Sequence, residues 1–142
     1  MPRFDTAHSW AAKGFLLAGA VNVVGVTFFS KFFTNSFLSS LDPGVFSRPG
    51  LAAIVLWGLA YWSVARAYHA VPYLVVVFFV EKMLYTFTWL TWLARNGGTL
   101  SSIFAESPLT AAFYLVYGAI DFAFGVFFLW VAVKSFRTRE TI

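Results

Sequence analysis

The sequence has no cysteine, only two histidines, and few charges: ten basic and six acidic residues, so that charged side chains make up 11% of the chain. Without cysteine there is no disulfide, no thiolate metal site and no thiol nucleophile. Two histidines, His8 and His69, are too few to ligate a metal, and both are expected at a membrane interface, badly placed for a mid-membrane haem. No Ser/His/Asp set, glycine-rich phosphate loop or metal-spaced cluster is present either. No cofactor is expected, and the chain reads as a non-enzyme before it reads as a catalyst. The start of the chain (MPRFDTAHSWAAKGF) lacks the basic opening and small-residue cleavage site of a secretory signal, so the first apolar helix is expected to stay as an anchor.

The charge content is also far below the roughly 25% typical of soluble globular proteins. In its place stand 60% hydrophobic residues, including eighteen Phe, six Trp and six Tyr, and the mean hydropathy is +0.76. A single soluble domain of 142 residues could not bury that much apolar side chain. The expected class is all-α: one integral membrane domain of four transmembrane helices. The net charge of +4 is modest and concentrated near helix ends, which suits membrane topology and not nucleic acid.

Four apolar segments, 11–33, 50–69, 72–94 and 109–133, each approach or exceed the roughly 20 residues that cross a ~30 Å hydrocarbon core. They are too long and too continuously apolar for barrel strands, and lipid admits only helices or closed barrels. Asp42-Pro43-Gly44 and Arg48-Pro49-Gly50 punctuate the first connection. Within it NSFLSSL reads as a short interfacial helix with Phe37, Leu38 and Leu41 on one side. Pro72 opens the third helix, Arg95-Asn96-Gly97-Gly98 ends it, and Ser107 caps a fourth helix that begins at Pro108. The connection between helices two and three is so short that the two should be antiparallel neighbours. With the N-terminus inside, Arg3, Lys13, Arg66, Lys134, Arg137 and Arg139 face the cytoplasm, against Lys31, Arg48 and Arg95 outside. That bias predicts both termini in the cytoplasm. The brevity of the chain and this bias fit a bacterial inner membrane.

Against this background Glu81 and Lys82, in the middle of the third segment, are conspicuous. At 1.5 Å per residue, Glu81 lies roughly 14 Å, Asn22 roughly 16 Å and Asp121 roughly 18 Å from the cytoplasmic helix ends. Three helices thus place their most polar residue in one layer, which on helix two falls near Trp57 and Tyr61. Helical spacing puts Glu81, Tyr85, Thr88 and Trp92 on one face, and Tyr114, Tyr117 and Asp121 on another. Turned inward, these faces assemble a buried cluster of Asn22, Glu81, Lys82, Tyr85, Tyr117 and Asp121, with Trp57 and Tyr61 as cavity-lining candidates. Lys82 should reach across to Asp121 more easily than back to Glu81, since adjacent helical positions diverge by 100°. Two acids and one base leave an acid in excess, so either one carboxyl carries a proton or the site holds a cation. Such a cluster can be a packing lock alone, or a site for a ligand, a proton or a partner. Five other tryptophans, at 10, 62, 89, 92 and 130, fit an aromatic belt near the helix ends.

The functional expectation is a non-enzymatic membrane protein, an accessory subunit or a binder of an apolar small molecule. Membrane lipids, and further copies of the chain or a larger membrane complex, are the expected partners. The alternatives are acid–base catalysis by Glu81 and Asp121 on an apolar substrate, and a proton- or ion-conducting oligomer.

Three stretches carry a family resemblance. They are a first helix bearing Gly and Asn (LAGAVNVVGVTFF) followed by an amphipathic loop (FLSSLDPGVFSRPG), a second helix closing on a basic residue (LAAIVLWGLAYWSVARA), and a third with Lys inside an apolar run (VFFVEKMLY). Together they resemble the DoxX-like group of small four-helix membrane proteins, which implies a fold more than an activity; Glu81 beside Lys82 departs from that pattern. Buried acids among aromatics are also similar in kind to the sterol-isomerase and sigma-2-receptor-like bundles, which implies a cationic ligand or intermediate, though Lys82 would compete with it.

Overall fold

The computed structural model describes residues 6–141, and side chains from Trp10 onward. Among the described residues the chain is helical with no strand. Helix α1 runs Thr6–Ala20, passes through a π-helical turn at Val21–Gly25, and closes with Val26–Phe29. Two short helices follow, α2 (Ser36–Leu41) and α3 (Pro43–Phe46). Then come α4 (Arg48–Val64), α5 (Pro72–Asn96), a short α6 (Leu100–Glu106) and α7 (Pro108–Glu140), with 3-10 turns at Tyr68–Ala70 and Gly97–Thr99. Three stretches are long and apolar enough to cross a membrane: Trp10–Phe29, Pro72–Glu106 and Pro108–Glu140. Helix α4, with 17 residues, is the shortest of the four long helices.

The helix boundaries differ from the apolar runs for local reasons. The first helix stops at Phe29, short of residue 33, because polar groups are buried at its end. Ser30 is fully buried and its Oγ accepts from Phe33 N at 3.1 Å, while Asn35 donates to Phe29 O at 3.1 Å. Between them Lys31, Phe32 and Phe33 are all left-handed, with φ of 50°, 57° and 65°, a conformation unfavourable for residues with a Cβ. The second helix ends at Val64 and not near 69. Tyr68 turns inward to stack on Phe15 at 5.3 Å, and Val71, preceding Pro72, leaves the helical region. The fourth helix runs on past 133 to Glu140, where Arg139 donates to the carbonyls of His69 and Ala70 at 3.4 and 2.9 Å. That bond places the end of α7 beside the α4–α5 connection. Helix α6 was not expected from the Gly-rich stretch before it.

Several local signals hold. Ser107 caps α7 by accepting from Thr110 N at 3.3 Å, and Pro72 and Pro108 open their helices. Ser47, not singled out in the sequence, caps α4 by accepting from Gly50 N at 3.3 Å. Asn35 caps α2, which buries Leu38 completely and packs Phe37 and Leu41 against the core.

The closest backbone packing joins α5 to α7 and α1 to α4. Small residues permit the second contact: a Cβ on Gly58 would lie 2.8 Å from Asn22 Cβ, and one on Gly19 would lie 2.8 Å from Gly58 O. Despite their short connection, α4 and α5 meet through long side chains, with Tyr61 on Phe78 at 4.8 Å and Trp57 on Phe78 at 6.2 Å. A short link brings helix ends together, but large facing residues keep the axes apart. Three of the belt tryptophans also tie helices together: Trp62 donates to Leu16 O at 2.9 Å, Trp89 to Tyr114 O at 2.8 Å and the buried Trp92 to Leu41 O at 3.1 Å, pinning α4 to α1 and α5 to α7 and to α2.

Candidate functional site

The polar residues of the midplane layer meet. Lys82, 1% exposed, extends from α5 between α1 and α7. Its ammonium donates to Asp121 Oδ1 at 2.7 Å and to Asn22 Oδ1 at 3.0 Å. Asn22 in turn donates through Nδ2 to Ile54 O on α4 at 3.1 Å. One hydrogen-bonded chain therefore crosses all four long helices. It passes through the π-helical turn of α1, a type of distortion found at functional sites more often than chance would place it there. Thr86, one turn beyond Lys82, donates to Lys82 O at 2.8 Å and holds the face in register.

Glu81 takes a different partner. The hydroxyl of Tyr61, itself fully buried, donates to Glu81 Oε2. Tyr61 is locked between Phe78 and Phe128, at 4.8 and 5.0 Å. The two acids are thus separated by role: Asp121 neutralises Lys82, and Glu81 is left with a neutral donor. This separation is the excess acid that the charge count anticipates.

A cavity of about 80 Å³ lies against this cluster. Asn22, Glu81, Lys82, Tyr85, Tyr117 and Asp121 all line it. Its upper wall is aromatic, from Phe29, Phe46 and Phe113. By the measure in which one water needs roughly 10–15 Å³ it admits several water-sized groups. It is not sealed: Gly25 of α1, and Val116 and Ile120 of α7, line it and also reach the outer surface. A Cβ on Gly25 would meet nothing within 4 Å. The opening is a lateral window between α1 and α7. These helices touch on either side of it, through Phe15 with Phe127 and Phe128 at 5.6 and 5.2 Å, and through Phe29 with Phe113 at 5.5 Å.

Two sequence expectations need correction. Trp57 and Tyr61 do not line the cavity: both pack on Phe78 in the aromatic core, and the hydroxyl of Tyr61 is committed to Glu81. Tyr117 was expected in the buried cluster, yet its hydroxyl is shut off from the cavity and has no hydrogen-bond partner among the described residues. Lys82 satisfies Asp121 first, and Tyr117, a turn earlier on α7, is held by ring contacts with Phe46 and Phe113 at 5.1 and 5.2 Å. Phe113 was missed, although it shares the 113, 117, 121 spacing and so was readable. Phe46 and the Ile54 carbonyl had no sequence signal. Among the described residues no group of three His, Asp or Glu stands together as a metal site; the side chain of His8 lies outside them.

Among the described residues, fold and site together define an all-helical chain with three stretches long and apolar enough to cross a membrane and a largely apolar, open cavity bordered by a buried polar cluster. No protein-family model, curated protein or solved structure matches the chain.

Proposed function

We propose that this is a four-helix integral membrane protein of a bacterial inner membrane, with both termini in the cytoplasm, that binds an apolar small molecule in the midplane cavity. It acts as a binder or as an accessory subunit, not as an enzyme. The observation that carries this reading is the lateral cavity itself, apolar at its mouth and bordered at its floor by Glu81 and the Lys82–Asp121 pair. A packing lock needs only the Lys82–Asp121 pair; it needs no opening. Helix α4 serves as the fourth span: 17 residues rise about 25 Å, at the short end of what a bilayer accepts. The α1–α4 and α5–α7 pairs then form the bundle, in keeping with the DoxX-like resemblance. The charge bias supports the orientation, since Lys13, Arg66, Lys134, Arg137 and Arg139 belong to one side.

The catalytic alternative draws on both carboxyls lining the cavity, with Asp121 paired to Lys82 and Glu81 hydrogen-bonded by Tyr61. Conduction through one chain meets Phe15, Tyr61, Phe78 and Phe128, all without exposure, so it requires several copies.

Native mass spectrometry of the detergent-purified chain tests the proposal. Wild type should retain a bound apolar molecule, and Gly25→Leu, which fills the mouth, should lose it at unchanged melting temperature. Equal occupancy in both, or none in either, counts against it. For orientation, cysteines at Thr6 and Thr138 should resist impermeant labelling until cells are opened.

A further inference from the structure

Resting on the reading of this cavity as a site open to the bilayer, we infer that Glu81 is a proton-binding carboxyl, protonated at neutral pH, whose proton enters and leaves through the cavity. Charge is the first ground. Glu81 is 5% exposed, and the cation beside it is already engaged. The Lys82 ammonium donates to Asp121 Oδ1 at 2.7 Å and to Asn22 Oδ1 at 3.0 Å, and lies 5.3 Å from the centre of the Tyr61 ring. Among the described residues Lys82–Asp121 is the only ion pair, and Glu81 receives the neutral hydroxyl of Tyr61 alone. A buried carboxylate with no cation of its own is costly, and one proton removes that cost. The same proton brings Glu81, Lys82 and Asp121 together to zero net charge.

The second ground is the free oxygen. Tyr61 donates to Oε2, and among the described residues no donor reaches Oε1. The one buried side-chain polar atom that is both shut off and unpartnered among them is the Tyr117 hydroxyl. Glu81 Oε1 is therefore not shut off, and the space beside Glu81 is the cavity that it lines. A protonated carboxyl has one O–H to give, and with Oε2 taken by Tyr61 the open position is Oε1.

Packing sets the route. On the α4 side, Tyr61 is wedged between Phe78 and Phe128, and all three are without exposure. No water reaches the carboxyl there. The other polar residues around it are Lys82 and Tyr85 of α5, Tyr117 and Asp121 of α7 and Asn22 of α1, all lining the cavity. Asn22 and the tyrosines are uncharged, and Lys82 matches Asp121. An occupant of the cavity covers Oε1 and traps the proton, whereas an empty cavity lets it exchange.

The test uses the full chain in nanodiscs and dicyclohexylcarbodiimide, an apolar reagent that approaches from the lipid. The O–H of a carboxylic acid adds across one C=N bond of the reagent. Oxygen bonds to carbon, the proton goes to nitrogen, and the acyl group then migrates to the second nitrogen with nothing lost. A carboxylate brings no proton to this addition. At neutral pH the wild-type adduct should fall on Glu81 and not on Asp121, as located by peptide mass spectrometry. The infrared spectrum should show a buried carboxylic-acid C=O band that Glu81→Gln lacks. Gly25→Leu, which fills the mouth, should lose the adduct and keep both the band and the melting temperature. No band in wild type refutes the proton, and an adduct on Asp121 instead refutes the choice of acid. Suppression of the adduct by sodium or potassium at constant pH would put a metal cation in the proton's place. A band without an adduct on Glu81, or equal labelling of Gly25→Leu, refutes the cavity as the route. The ligand reading fails separately, in the occupancy that native mass spectrometry measures: a chain that retains no molecule but labels at Glu81 keeps this proton site and loses the ligand.

Discussion

Two halves of the molecule, built from similar residues, behave in opposite ways. Toward the α4–α5 connection, Phe15, Tyr61, Phe78 and Phe128 pack edge to face and tilted, with ring centres 4.8–6.3 Å apart and no exposure. In the other half Phe29, Phe46, Phe113, Tyr114 and Tyr117 also pack ring on ring, at 5.0–6.0 Å, but all of them except Tyr114 border a cavity. The difference lies in α1. In the closed half it presents Phe15 to α7; at the open level it presents Val21 and Gly25, the two ends of its π-helical turn. Aromatic content does not decide whether a core is solid. The side chain that one helix supplies at each level decides it, because interiors fill to high density only where volumes match.

The polar floor separates the halves, and breaking it should have the largest effect. Lys82→Met leaves Asp121 buried without a counter-ion and should cost on the order of 3–5 kcal/mol. Adding Asp121→Asn should recover much of it. Equal unfolding midpoints for the single and double variants in detergent would contradict the pairing. Next comes the closed half: Phe78→Ala removes the ring that contacts Phe15, Trp57, Tyr61 and Phe128 and should cost roughly 3 kcal/mol. A loss below 1 kcal/mol would mean that this half is looser than its contacts indicate.

A pair of tyrosines sharpens the contrast. Tyr61→Phe strips Glu81 of its donor and should cost roughly 1–3 kcal/mol, whereas Tyr117→Phe removes a buried hydroxyl with no partner among the described residues and should raise stability, by up to roughly 1–3 kcal/mol. Chemical denaturation of the two variants side by side measures it; equal losses would erase the distinction between closed and open halves. The smallest effect belongs to Asp42, at the junction of α2 and α3 in the open half. Burial raises its carboxyl above the ordinary value. A raised acid favours the fold below its unfolded value and loses that contribution as pH climbs through the folded one. Asp42→Asn should therefore melt slightly above wild type near neutral pH and together with it well below the ordinary carboxylate range. A variant that melts lower at neutral pH would give the carboxylate a stabilising role instead.

Much of this was legible beforehand, and the reasons differ by residue. Ser107-Pro108 and Pro72 act through their own backbone, so their helix starts could be read locally. Asn22, Glu81 and Asp121 could be placed at one depth because helical rise is constant. Tyr61 could be placed in that layer but not assigned, since its partner depends on how α4 rotates against α5. The left-handed run at Lys31–Phe33 left no trace in the sequence, because none of those residues prefers that conformation.

By itself, then, the sequence determined what short-range rules control: a membrane-type composition, helices with their caps, and a polar layer at a common depth. Helical spacing already pointed Lys82 toward Asp121; the tertiary structure alone decided the pairing of Glu81 with Tyr61, the Tyr117 hydroxyl left without a partner among the described residues, and the window at Gly25. Periodicity fixes which face a residue occupies, but a cavity and a partner are properties of two faces meeting, set by helix rotation and by the volumes that happen to oppose one another.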